Sequence, residues 1–530
     1  MLAYAELSEI EQRVWDGFAT GAHVDLRPED ARAEDPRDGA EDPCDGAAWG
    51  AERTVRAAAL HALLTSGTPG ALRLTGARIT GRLDLADTAV PHALTLTGCH
   101  FEQPVMLRGA QLRSTGLVGC RLPGLDGWLL RVDGNLFFED SVIDGRLTLT
   151  RAHITGELRL SGVRLTAREL VGTDTPEGPD GPDGPAGRAA ALPAGDVWAL
   201  WAGGLVMEGG LFGRHGLTVR GGLRLVGAQL GGGLFLEGAE LHNPCGDALS
   251  GEDLSTGTMM LSDGFRAHGP IRLPGATVRS RLSLHGAVLD GGRPTGGDPA
   301  DLVALDAQRL KAGELRLTPA ATPTGAVDLQ EAQVTVLHDH ARSWPADSRL
   351  DGFTYTSIHP DGDAGTLAHR LDWLAALPGY APQPYEQLAA WYRKIGHDDD
   401  ARRVLLAKQR RRRHTLGPAG RAWGRLLDAT VGYGYRPWQA GLWLLLLTAL
   451  GTALFSGGGQ QSTQSGGGSG TPFNPLVYTL DLLVPIGGFG QRSAWYWTDY
   501  RQTVGYLLVA AGWVLTTAAV AGITRALNRN

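Results

Sequence analysis

The sequence predicts a mainly β chain: a right-handed β-solenoid with coils of about 22 residues, helical caps, and two C-terminal transmembrane α-helices. Three observations predict it. An apolar-x-apolar pair recurs every eleven residues, at Leu72/Leu74, Leu83/Leu85, Leu94/Leu96 and Val105/Leu107. Each pair is followed by a small residue (Ala77, Thr88, Cys99, Ala110) and then by a large apolar one (Ile79, Val90, Phe101, Leu112). Two charge-free apolar stretches, 438–455 and 504–523, lie near the end.

The same unit returns at Leu147/Leu149, Leu158/Leu160, Leu223/Leu225, Leu234/Leu236, Ile271/Leu273, Leu282/Leu284 and Val327/Leu329. Alternation at period two is the strand signal, and glycine supplies the turns. Two units close a four-sided coil, stacked on its neighbours at about 4.8 Å. The small residue belongs where the coil turns inward. Cys99 and Cys120 are about one coil apart, so they stack on one inner face as small buried hydrophobes. These residues resemble the pentapeptide-repeat and related β-solenoid proteins over roughly 70–340, with the five-residue unit degenerate. The resemblance implies a stacked scaffold surface and no catalytic residue.

Composition agrees. A chain of 530 residues exceeds one ordinary core. Its 76 glycines, regularly spaced, point to a turn-rich repeat. Lysine is confined to Lys311, Lys394 and Lys408, so arginine carries the positive charge. A net charge of −7 argues against a nucleic-acid partner. Cys44, Cys99, Cys120 and Cys245 form no C-x-x-C pair, and no histidine stands at zinc-finger spacing. The N-terminal MLAYAELSEIEQRVWDGF has acidic residues and no signal-like apolar core, which places the bulk of the protein in the cytoplasm.

Solenoid ends need cover. Residues 1–69 are the expected N-terminal helical cap, with helices near 6–19 and over 51–65. Residues 172–196, rich in Pro, Gly and Asp, are expected to leave the stack as a disordered insertion. A second insertion falls at about 290–303. After residue 340 the period becomes helical, over 365–377, 383–396 and 398–414, forming a neck that runs to 436. YEQLAAWYRKIGHDDDARRVLLAKQRRRR resembles a tetratricopeptide-like hairpin and reads as packing or as a partner site. Arg410, Arg411, Arg412 and Arg413 read as a topology signal and as a contact for anionic lipid head groups.

The positive-inside rule then gives a multi-pass protein of the cell membrane, with both termini cytoplasmic and 456–503 outside. Within that loop, 473–491 resembles the pore helix and filter of two-helix potassium-type channels. Pro475–Val484 matches the helix, and Ile486, Gly487, Gly488, Phe489 and Gly490 match the pore loop. Pro485 and Gly487 depart from the T-V-G-Y-G pattern. The other reading of this segment is an interfacial helix with Phe473, Tyr478, Trp495, Tyr496 and Trp497 as an aromatic belt.

No catalytic residue, cofactor-binding motif or metal set stands out. Gly203-Gly204, Gly209-Gly210 and Gly231-Gly232-Gly233 lack the order of a phosphate loop and fall in the repeat register. His338 and His340, flanking Asp339, make one short H-x-H and read as a solvated turn. Asp398, Asp399 and Asp400 favour a helix N-terminus. The segments LRLTGARITGRLDL, LDGFTY, YEQLAAWYR, VLLAKQRRRR and NPLVYTLDLLVPI resemble a family of actinobacterial membrane proteins labelled membrane-associated oxidoreductase. That resemblance implies redox activity, although no residue here is a site for nicotinamide, flavin, haem or an iron–sulfur centre. Three readings follow in order: a membrane-tethered scaffold with a protein partner on the solenoid surface, a channel-like homo-oligomer, and an oxidoreductase.

Overall fold

The computed structural model describes residues 4–29, 42–167, 197–292, 302–340, 343–360, 366–421, 425, 437–462, 472–484 and 488–527. The chain forms two compact units, Met1–Gly379 and Tyr380–Asn530.

The first unit winds as a four-sided coil. In one turn, Leu147–Thr148 forms the first face, His153–Ile154 the second, Leu158–Arg159 the third and Arg164–Thr166 the fourth. The chain then returns as Trp198–Trp201, which pairs parallel with Leu147–Thr148. Partners elsewhere lie about 22 residues apart, as in Leu125↔Leu147, so the eleven-residue period is half a turn. First-face strands make one ten-stranded sheet and fourth-face strands another. The second and third faces join in an eighteen-stranded sheet, because strands such as Gln111–Val118 and Arg131–Phe137 run round the corner between them. This is a parallel β-solenoid, compatible with a pentapeptide-repeat-like fold.

The pattern of the sequence explains the closure. In this turn Leu147, Leu149, Ala152, Ile154, Leu158, Leu160, Val163 and Leu165 are all fully buried. Burial of a Leu, Ile or Val side chain is worth about 1.5–3 kcal/mol, as an upper estimate. One corner of successive coils takes a left-handed backbone: Asp87, Gly109, Leu129 and Arg151 have φ of 53°, 62°, 55° and 53°. Another corner carries the small stack. The Cys99 backbone N–H donates to Cys120 Sγ at 3.4 Å, and the Cys120 N–H donates to Ser141 Oγ at 2.9 Å. Both thiols are free and buried, and burial pushes the Cys120 thiol well up.

The stack reaches beyond 70–340 at both ends. His23–Asp25 pairs with Leu72–Thr75, Thr54–Arg56 with Arg78–Thr80, and Thr354–Pro360 with Gln333–Asp339. Residues 51–65 are therefore not one helix. A 3-10 turn (Ala51–Arg53) and a strand (Thr54–Arg56) precede the helix Ala57–Leu64. Thr54-Val55 is β-branched, Val55 points into the core, and Arg56 pairs with the buried Glu11 at 2.6 Å. Glu11 also closes the capping box of the helix Glu9–Thr20 with Ser8.

At the far end, Arg370 on the helix Leu367–Ala376 donates two 2.9 Å hydrogen bonds to the carboxylate of Asp339 on the last-but-one third-face strand. Both groups are buried, and Trp344 Nε1 donates to the same carboxylate at 3.0 Å. The insertion 172–196 lies outside the described residues, as does 293–301 of the second. Each enters between a fourth-face strand and the next first-face strand.

The second unit holds a hairpin of Gln383–Lys394 and Asp398–Thr415, with Tyr385, Leu388, Tyr392, Val404 and Leu405 between the helices. It also holds the helices Pro437–Phe455, Pro475–Leu483 and Tyr500–Leu527 around a core of Phe455, Tyr478, Leu482, Leu483, Trp497 and Leu508. No helix among the described residues is long and apolar enough to cross a membrane. That overturns the two transmembrane helices, the multi-pass placement in the cell membrane and the topology built on it. Pro437–Phe455 rises only about 28 Å, just under a hydrocarbon core of about 30 Å. Tyr500–Leu527 opens on Tyr500, Arg501 and Gln502, and Arg501 is tied to the Gly458 carbonyl and lies 4.7 Å from the Trp497 ring.

Candidate interaction faces of the solenoid

Parallel, in-register coils turn each outward position into a column of side chains about 4.8 Å apart. On the third face the ladder runs Phe137↔Arg159↔Phe212↔Phe235↔Met260. These side chains are half-buried, each leaning on its neighbours. The Phe212 and Phe235 rings stack at 4.8 Å with planes 7° apart, and the Arg214 guanidinium sits 5.1 Å and 4.7 Å from their centroids. Glu237 holds Arg214 at 3.1 Å, while Glu157 holds Arg159 at 2.8 Å, 5.4 Å from the Phe137 ring. Glycine makes this possible: a Cβ on Gly233 would come within 2.7 Å of the Phe235 ring. The column ends in Arg316, His338 and His359, and the two imidazoles stack at 5.1 Å. Burial lowers the His338 pKa; Glu314 at 3.4 Å opposes that effect.

The first face carries charge. Its ladder runs Arg272↔Asp306↔Asp328↔Arg349. Arg272 is bound to Asp247 at 2.8 Å and lies 3.8 Å from Asp306. Asp328 takes hydrogen bonds from the Gln330 N–H and Gln308 Nε2. Burial raises its pKa, and Asp306 one coil below adds to the rise.

The fourth face is crossed by the N-terminal segment Pro43–Ala48, a 3-10 turn capped by Asp42. Three successive coils hold it through backbone carbonyls. Arg78 donates to the Trp49 carbonyl at 3.0 Å, His100 Nδ1 bonds the Pro43 carbonyl at 2.8 Å, and Arg121 donates to the Cys44 carbonyl at 3.2 Å. Gly46 lies against His100, where a Cβ would come within 2.4 Å. The Cys44 N–H bonded to Asp42 holds that carboxyl below its usual range, with Arg164 and Arg121 contributing. Burial pushes the Cys44 thiol up, and Asp42 adds to it.

The residues singled out in the sequence do not converge. His338 faces outward, Asp339 is committed to Arg370, and His340 sits beyond the strand. No metal-holding group of His, Cys, Asp and Glu occurs among the described residues. Gly203 and Gly204 make a solenoid turn, while Gly210 and Gly233 lie within strands. Asp398, Asp399 and Asp400 occupy the first turn of their helix, whose last turns carry Arg410, Arg411, Arg412 and Arg413. Ile486 and Gly487 lie outside the described residues. Next to them, Asp481 accepts the N–H groups of Phe489 (2.9 Å) and Arg492 (2.8 Å), and Gly490 (φ 77°) opens the short helix Gln491–Ala494. The buried Asp481 thus holds this segment by the backbone of Phe489 and Arg492, and the channel-like reading has lost the spanning helices it requires.

Reasoning from sequence missed the third-face column and the N-terminal strap. The column was hidden because Arg159 and Phe212, neighbours in the stack, are separated in the sequence by a coil that carries the insertion 172–196. The class the fold defines is a β-solenoid scaffold. Compared with protein-family models, curated proteins and solved structures, the chain finds no match in any of the three.

Proposed function

We propose that the solenoid is a protein-interaction scaffold whose third face, along Phe137, Arg159, Phe212, Phe235 and Met260, seats an apolar surface of a protein partner. The observation that carries it is large apolar side chains in one outward column of consecutive coils, with arginines fixed among them by glutamates. Aromatic and arginine side chains are the groups that dominate binding energy at interfaces. The parallel ladder holds them in place, so little order remains to be lost on binding.

A photo-crosslinking amino acid at position 260, with another at Gln333 on the second face, tests this in cells. The expected outcome is a discrete protein adduct at 260 that is absent at 333 and lost in the Phe212→Ala/Phe235→Ala variant. The same weak smear at both positions overturns it. The oxidoreductase reading makes a separate demand: purified protein must carry a chromophore or nucleotide, which an absorbance spectrum detects.

A further inference from the structure

The helix Tyr500–Leu527 carries two apolar stripes, and its own unit covers one of them. Gly505, Leu508, Gly512 and Leu515 are buried. Leu508 lies in the core with Phe455 and Leu482, and Gly512 lies against the Leu483 backbone. Two residues before each of these, about 200° round the helix, stand Thr503, Tyr506, Ala510 and Trp513, and Thr517 and Val520 continue the spacing. All six are exposed, Tyr506 by 65 %, Trp513 by 58 % and Val520 by 52 %. A helix that turns this side to water carries charged and polar groups on it. Here no residue from 504 to 523 is charged.

The exposed stripe has a pattern of its own. Its steps of three and four residues are those of a coiled-coil seam. Large and small side chains alternate along it: Tyr506, Trp513 and Val520 at one set of positions, Thr503, Ala510 and Thr517 at the other. Reversed about a point between Ala510 and Trp513, the series is complementary to itself. Thr503 falls opposite Val520, Tyr506 opposite Thr517, and Ala510 opposite Trp513. With Leu507 and Val514 on its flank, the stripe exposes roughly 600 Å² of large apolar side chain, and the small positions bring it near the ~800 Å² per partner of a standard interface. Gln502 Nε2 donates to the Tyr506 hydroxyl at 3.0 Å, so covering that ring strands no hydroxyl.

We propose that two copies of the chain pair antiparallel through this stripe of the helix Tyr500–Leu527. A second copy is the occupant that the pattern describes, because the stripe supplies both the large side chains and the gaps that take them, as a two-fold contact requires. The pairing rests on neither the third face of the solenoid nor its partner.

Light scattering on the full chain, over about a hundredfold range of concentration, tests it. The expected mass is that of a dimer, falling to a monomer on dilution. Ala510→Trp sets tryptophan against tryptophan, and Trp513→Ala leaves a gap; each is expected to weaken the dimer about tenfold or more. Ala510→Trp/Trp513→Ala exchanges the two sizes across the dyad and is expected to recover most of that loss. A monomer at every concentration overturns the pairing. So does a dimer that neither single variant weakens, or a double variant as weak as the single ones, which would mark unspecific apolar contact. A monomer that floats with neutral phosphatidylcholine vesicles would give the stripe to a lipid surface and overturn it as well.

Discussion

Leu129 stands at a corner where the neighbouring coils use Gly109 and Arg151, with φ of 55°. A β-carbon in that region costs about 1–2 kcal/mol, and glycine gives back part of it through the freer unfolded chain. Leu129→Gly is therefore expected to raise stability by about 0.5–1 kcal/mol in urea titration, since the Leu129 side chain is exposed and its contacts are few. Asp328 gives a prediction in pH. Its folded pKa is raised by burial, then by Asp306, so the folded state binds this proton more tightly than the unfolded chain does. The group costs nothing below the unfolded value near ~3.9, and the cost grows as pH rises through the folded value. Asp328→Asn is expected to remove that slope: its stability falls less than wild type's as pH is raised from ~4 to ~6. Parallel slopes in the two proteins would show that Arg349 and the two hydrogen bonds compensate fully. At this scale the inward residues were legible, because backbone closure repeats them: Leu158, Leu160, Val163 and Leu165 are buried as their spacing requires. The outward columns were not legible. Which outward residue neighbours which depends on where the insertions leave the stack, and no periodicity records that.

Among elements, the end cap depends on one buried pair. Arg370 and Asp339 are 3 % and 2 % exposed, and the pair joins the helix Leu367–Ala376 to the last coils. Removing one partner of such a pair strands the other charge and costs about 3–5 kcal/mol, although an apolar replacement of both can be neutral. Arg370→Ala is expected to lose that much and to expose the amides of Gln333–Asp339 and Thr354–Pro360 to hydrogen exchange. Asp339→Leu/Arg370→Met together is expected to recover most of the loss. Helix packing in the second unit gives a sharper case. A Cβ on Gly512 would stand 2.2 Å from the Leu483 carbonyl oxygen, where neither backbone can yield cheaply. Gly512→Ala is expected to shift the unfolding of this unit, followed by near-UV signals of Trp497, while the solenoid's β signal stays as it was. The same helices show where sequence reading failed. Freedom from charge over 438–455 and 504–523 reads as a membrane signal, yet no helix among the described residues is long and apolar enough to cross a membrane.

In the whole molecule, coils touch their neighbours and little else, so stability is a sum over adjacent pairs. The register specifies what one coil is. Val206 sits between His153 and Gln229, and Leu211 between Leu158 and Leu234. Deleting residues 206–228 brings Gln229 onto His153 and Leu234 onto Leu158, which keeps every inward position and sets Phe235 directly on Arg159. Deleting 206–216 instead brings Leu217, from the corner before the fourth face, to the place of Val206. Every later coil is then turned by half a revolution, so fourth-face strands arrive over second-face ones and the third-face column is cut after Arg159. The expected result is that the whole-coil deletion keeps cooperative unfolding with a slightly smaller denaturant dependence, in proportion to the surface removed. The half-coil deletion is expected to break the column after Arg159, so that Phe235 no longer follows it, and to lose any partner bound there, even if a stack still forms. If both deletions behave alike in unfolding and in the crosslink at Met260, the two eleven-residue halves are interchangeable. The faces would then carry no identity of their own, and the interaction reading would fall with them.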